Sequence, residues 1–211
     1  MKITKFGHCC LLIEEQSLRI LTDPGTYSSA QNDVRNLDVV LITHDHPDHL
    51  HVESLKAVVA NNPGVRIFTN TSVAKLLEKE GIKYELLEHG QSVAVNGVLI
   101  EGLGEHHAEM WKAIPRTPNT GYFVANYLFY PGDAFTVPEK PVPVLALPTA
   151  GPWMKLLEGI EYAIAVKPKK CFPVHDGILK NIGSTDRIPA QVLPPLGIEF
   201  TSLELGKEYE F

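Results

Sequence analysis

Six consecutive residues, His44-Asp45-His46-Pro47-Asp48-His49, carry a density of metal-binding and proton-transferring groups that no core-packing requirement explains. His44 and His46 lie two apart, so in extended chain they project to the same side and can grip one ion. Asp48 and His49 fall on the following turn and point toward a neighbouring ion. Imidazole combined with carboxylate suits Zn²⁺, Mn²⁺ or Fe and disfavours Ca²⁺ or Mg²⁺. Further candidates follow: His106-His107, Asp133 in Tyr130-Pro131-Gly132-Asp133, and His175. His8, in Gly7-His8-Cys9, and Asp23, in Thr22-Asp23-Pro24-Gly25, are candidates to orient ligands or touch substrate. Packing is the competing reading for His8, and an Asx-type turn cap the competing reading for Asp23. Asp45 and Asp176 read as turn or helix-start residues, Cys9 and Cys10 as small core residues, and His51 and His89 as ordinary surface or hydrogen-bonded histidines.

The surrounding elements have to bring these groups together. Apolar or β-branched runs at 2–6, 10–13 and 18–21 predict three short strands, the third stopped by Asp-Pro-Gly. The continuous run at 39–42 suits a strand buried on both faces, and the histidine-rich segment follows it directly. Pro47 suits the first turn of a helix, with Val52, Leu55, Val58 and Val59 at helical spacing. Asn61-Asn62-Pro63-Gly64 stops that helix. Residues 65–68 predict a strand and 72–80 a helix, capped by Thr71 and stopped by Gly81. Strands at 93–95 and 98–100 flank an Asn96-Gly97 turn, and strands at 121–124, 127–130 and 142–147 follow. Trp153, Leu157, Ile160 and Ile164 mark one helix face ending before Pro168, and a last buried strand at 170–174 runs straight into His175. Asp133 and His175 therefore also sit just past apolar strands, where loops converge on one site. This order predicts two sheets packed face to face with helices outside, a four-layer αββα sandwich.

Composition narrows the function. The chain has 211 residues, a length that suits a single domain over 1–211, and 44% of them are hydrophobic. With 19 Lys plus Arg against 25 Asp plus Glu, its net charge is −6, and no basic run offers itself to a nucleic acid. No apolar stretch reaches the ~18 residues of a membrane span. Three cysteines, two adjacent, form neither a disulfide framework nor a CxxC zinc site. A cytoplasmic protein acting on a small molecule is the expectation.

The run His44–His49 fits the HxHxDH signature of metallo-β-lactamase-fold hydrolases, which the chain resembles over nearly its whole length; the later His, Asp and His follow in that family's order. Gly7-His8-Cys9-Cys10-Leu11 and Thr22-Asp23-Pro24-Gly25 resemble the small bacterial branch that includes ascorbate-6-phosphate lactonase and uncharacterised metal-dependent hydrolases. The resemblance implies two divalent ions, Zn²⁺ ahead of Mn²⁺ or Fe. His44, His46 and one of His106 and His107 would hold the first. Asp48, His49 and His175 would hold the second, and Asp133 would bridge. His107 is preferred because His107-Ala108 and Asn119-Thr120-Gly121-Tyr122 match small relatives. Hydroxide formed at the ions would attack an ester, lactone or related centre, with Asp48 orienting it or taking its proton. Trp111, Arg116 and Trp153 fall on loops that rim this fold's site; one reading is an aromatic wall and an anion clamp for a small anionic substrate, the other is packing for Trp153 and solvent for Arg116. The alternatives are a phosphodiesterase of the same fold and a non-catalytic metal-binding protein. A di-iron redox role is disfavoured, because such relatives place a carboxylate where His46 stands and carry a flavin domain.

Overall fold

Two seven-stranded sheets hold the histidine-rich loops at their common edge. In the computed structural model, which describes residues 1–211, the first sheet contains β1 (Lys2–Gly7), β2 (Cys10–Glu15), β3 (Leu18–Thr22), β4 (Val39–Leu41), β5 (Arg66–Thr69) and β6 (Glu85–Leu86). The second contains β7 (Ser92–Val95), β8 (Val98–Leu103), β9 (Gly121–Val124), β10 (Leu128–Tyr130), β11 (Val144–Pro148), β12 (Lys170–Val174) and β13 (Glu199–Phe200). A last strand, β14 (Glu208–Glu210), returns to the first sheet and pairs antiparallel with β1. The orders are β14-β1-β2-β3-β4-β5-β6 and β13-β12-β11-β10-β9-β8-β7. Hairpin-linked strands pair antiparallel, whereas β3 to β6 and β10 to β13 pair parallel, joined by connections that cross over the sheet.

Alternation along single strands produces the layers. Val39 and Leu41 enter the core between the sheets, together with Tyr122, Val124, Leu128, Val144, Ala146, Phe172 and Val174. Val40 and Ile42 face the other way, onto Leu55 and Val58 of α1 (Val52–Asn61) and Val73 and Leu77 of α2 (Thr71–Lys79). On the far side Phe123, Phe129, Leu145 and Leu147 meet Tyr162 and Ala163 of α3 (Leu156–Val166), with Leu193 just after α4 (Arg187–Val192). Each fully buried Val, Leu, Ile or Phe among these contributes roughly 1.5–3 kcal/mol. The four-layer αββα order expected from the sequence is the observed one.

Several local expectations are corrected. The first helix begins at Val52, not at Pro47, because residues 47–49 form turns in which His49 and Leu50 both donate to the His46 carbonyl. That turn swings Asp48 and His49 inward. Asn70, not Thr71, caps α2, its side chain accepting from the Ser72 and Val73 amides. The inward face of α3 is Gly159, Tyr162 and Ala163, while Leu157 and Ile164 are exposed; Trp153 precedes the helix. Gly159 is required there, since a Cβ would lie 2.6 Å from the Pro148 carbonyl oxygen.

Candidate metal centre

Strand ends place the ligand candidates. His44, His46, Asp48 and His49 follow β4, His107 follows β8, Asp133 follows β10, and His175 is the first residue beyond β12. Their ligating atoms fall into two groups, each within 4.8 Å internally: His44, His46, His107 and Asp133 in one, His8, Asp48, His49 and His175 in the other. Asp133 lies between the groups. Its carboxylate is 3.3 Å from His107 Nε2, 3.9 Å from His44 Nε2, 3.1 Å from His49 Nε2 and 2.8 Å from His175 Nε2. His107, not His106, faces this carboxylate; His106 is exposed and its backbone bridges to Pro118.

The polar atoms left over show what the site fits. His49 Nε2, His107 Nε2, His175 Nε2 and Asp133 Oδ1 are buried and have no partner outside this cluster. The opposite ring nitrogens are all occupied. His49 Nδ1 meets Asp23 Oδ2 at 2.7 Å, His107 Nδ1 the Ala108 carbonyl at 2.7 Å, and His175 Nδ1 the Ala150 carbonyl at 2.7 Å. Such acceptors keep a proton on Nδ1 and aim Nε2 inward, the usual arrangement of imidazole ligands. Such buried groups are costly to leave without further partners, and cations held at the two groups would satisfy them.

Charge agrees with this fit. Burial opposes charge on His175, but Asp133 and the Asp48 contact raise its pKa to about 9. His49 is pushed the same way by Asp133 and Asp23 against its burial. Asp48 is held well below the usual carboxylate range, its burial outweighed by His175, His8 and His49. Carboxylates that hold extra protons on imidazoles would equally favour a metal cation in their place.

A family profile described as the beta-lactamase superfamily domain matches residues 2–175. The chain belongs to this superfamily. Protein Rv0786c of Mycobacterium tuberculosis is 36% identical over 184 residues, 85% of each chain. A UPF0173 metal-dependent hydrolase of Flavobacterium johnsoniae is 30% identical over 155 residues, 68% of this chain and 67% of its own. Among solved structures, Igni18, a metallo hydrolase from Ignicoccus hospitalis, shares the fold with a TM-score of 0.78 at 20% identity, covering 100% of this chain and 98% of that one. The chain thus stands among metal-dependent hydrolases of the metallo-β-lactamase fold.

Within this superfamily member further residues hold the ligand candidates in place. Asp23, at φ 34°, accepts from the Thr43 amide, the Thr43 hydroxyl and the Tyr130 phenol as well as facing His49. Asn119 Oδ1 accepts from the Asp133 amide at 3.0 Å, and its Nδ2 donates to the Pro131 carbonyl. No local signal in the sequence marks Thr43 or Tyr130 as a support; for Asn119 the pattern Asn119-Thr120-Gly121-Tyr122 is the one hint. His8 Nε2 lies 3.2 Å from Asp48 Oδ2. Cys9 also comes within 4.8 Å of His49 and Asp133, yet it is fully buried, and burial pushes its thiol well up. Trp153 is buried, its ring 5.5 Å from those of both His107 and His175, whereas Trp111 is 65% exposed. Arg116 is exposed and donates from Nε to the His107 carbonyl at 2.9 Å.

Gly25 braces the motif loop from outside. A Cβ there would sit 1.8 Å from the Asp48 carbonyl oxygen and 2.7 Å from the His49 amide nitrogen. Gly25→Ala is therefore expected to displace Asp48 and His49, costing about 1–3 kcal/mol of stability by overpacking. Metal content falls with it. Denaturant titration and elemental analysis of the variant check this; wild-type values in both would show the loop yielding freely.

Proposed function

We propose that the protein is a hydrolase of small ester or lactone substrates that works with two divalent ions, Zn²⁺ first. The observation that carries this reading is the pair of four-residue groups with the Asp133 carboxylate between them, and buried ring nitrogens from both groups turned toward it. His44, His46 and His107 would hold one ion, Asp48, His49 and His175 the other, and Asp133 would serve both. Bound there, the ions would supply hydroxide at neutral pH and Lewis-acid stabilisation of developing negative charge. Asp48 is only half-buried, and its carboxylate would orient the attacking water or receive its proton.

A cavity of about 350 Å³ is lined by His106, Ala108, Arg116, Phe135, Trp153 and Glu158, among others. Its volume fits a small molecule. Phe135 and Trp153, with rings 5.3 Å apart, supply the apolar wall. Arg116, tied to the main chain only through Nε, keeps its terminal N–H groups for an anionic part of the substrate.

The deciding measurement is metal content per chain after stripping and reconstitution with Zn²⁺, Mn²⁺ or Fe²⁺. Close to two tightly held ions is expected, Zn²⁺ best retained, with ester and lactone turnover that chelation abolishes. One ion per chain would remove the second site and the shared role of Asp133. None, from folded protein, would remove the hydrolase reading.

A further inference from the structure

His8 stands close enough to Asp48, His49 and His175 to be counted with them as a ligand of the second ion. Its hydrogen bonds argue otherwise. The Gly177 amide points at His8 Nδ1, 3.1 Å away. A backbone amide can only donate, so Nδ1 must be a bare acceptor, and the ring is neutral with its proton on Nε2. A protonated Nε2 has no lone pair for a metal. It faces Asp48 Oδ2 at 3.2 Å, where it donates.

This is the reverse of the surrounding histidines. His49, His107 and His175 give Nδ1–H to an acceptor and turn Nε2 inward to Asp133, where a cation can replace any second proton. His44 does the same: Thr43 Oγ1 spends its own hydrogen on Asp23 Oδ2 and so accepts from His44 Nδ1 at 3.0 Å. We propose that His8 is a positioning residue, an Nε2–H donor that fixes the Asp48 carboxylate, and is not a ligand.

The neighbourhood is built to hold that orientation. His8 is buried and sits at φ 52°, a left-handed conformation directly after β1. Its carbonyl accepts from the His175 amide at 3.2 Å, so one residue steadies both Asp48 and the backbone of His175. A Cβ on Gly177 would come 2.9 Å from His8 Cβ and 3.2 Å from its Nδ1; only glycine brings that amide so close. Partners of ligating carboxylates are typically worth 10–100-fold in metal affinity.

The effect on metal binding rests on the two-ion reading above, whereas the direction of the hydrogen bonds does not. Two measurements separate them. In ¹⁵N-histidine-labelled wild-type protein, His8 is expected to be protonated at Nε2 both metal-free and loaded with ¹¹³Cd²⁺, with ¹¹³Cd coupling at His49 and His175 and none at His8. Chelator competition with Zn²⁺ then compares His8→Ala with His8→Gln, whose side-chain amide can donate from nearly the same place. His8→Ala is expected to weaken the second ion about 10–100-fold and leave the first unchanged; His8→Gln is expected to keep most of the affinity. Nδ1 protonation in the metal-free protein, ¹¹³Cd coupling at His8, a Gln variant as weak as the Ala variant, or an Ala variant that binds normally would each overturn the assignment. Wild-type protein that takes up a single ion would instead overturn the two-ion reading.

Discussion

Asp133→Ala is expected to lose both ions and to lower kcat/KM well beyond the ~100-fold that removal of an outer partner costs. Asp133 is the one carboxylate within 4 Å of Nε2 atoms from both ligand groups, and its own amide is pinned by Asn119. Without it, four buried imidazoles face one another with only Asp48, at the edge of one group, to balance a cation. Elemental analysis and turnover of the variant test this, and a variant that keeps two ions per chain would sink it. The metal-free protein adds a pH signature. The pKa of His175 rises from 6.5 to about 9 in the folded state, burial opposing the shift and Asp133 leading the terms that raise it. Stabilisation from this source is fully present below pH 6.5 and lost as pH climbs through 9. The stability gap between metal-free wild type and Asp133→Ala should therefore be wider at pH 6 than at pH 10.

The second large effect is on stability. Lys5 Nζ is 2.6 Å from Asp176 Oδ1 and 2.9 Å from the Pro173 carbonyl, and both side chains are essentially inaccessible to solvent. Lys5→Met should cost about 3–5 kcal/mol, because it strands the Asp176 charge in the interior. The double variant Lys5→Met/Asp176→Leu should recover most of that loss, since a well-packed apolar pair can replace a buried ion pair at little net cost. Urea denaturation of the three proteins reads both numbers. A single variant within about 1 kcal/mol of wild type would mean that the pair is solvated in solution. Asp176 immediately follows His175, so the pair also anchors the loop that carries that histidine.

Residues whose meaning is local were legible in the chain. The run His44–His49 announces metal chemistry by its own composition, and the strand before it by its unbroken apolar character. Asp133 and His175 became candidates because each ends an apolar strand. Residues whose meaning depends on a distant partner were not legible. Lys5 looks like any lysine in a strand until Asp176 is placed against it. Asp176 accordingly read as a turn residue. The strand β14 is short and polar and exists only because β1 offers it an edge. Pro189 hides α4, which forms regardless around Leu193 and its neighbours in the outer core. The face of α3 was misjudged because hydrophobicity picked Leu157 and Ile164, whereas close approach to the sheet demanded Gly159.

Each ligand group draws on both sheets. His44 and His46 come from loops of the first sheet, His107 and Asp133 from the second; Asp48 and His49 belong to the first, His175 to the second. Tyr130, on the second sheet, reaches across to Asp23 beneath His49. No half of the molecule carries a complete coordination set, so neither set exists in a nascent chain until the sandwich has closed. Ion capture would then come last in the folding sequence, and a chain that retains its metal has thereby certified its own assembly.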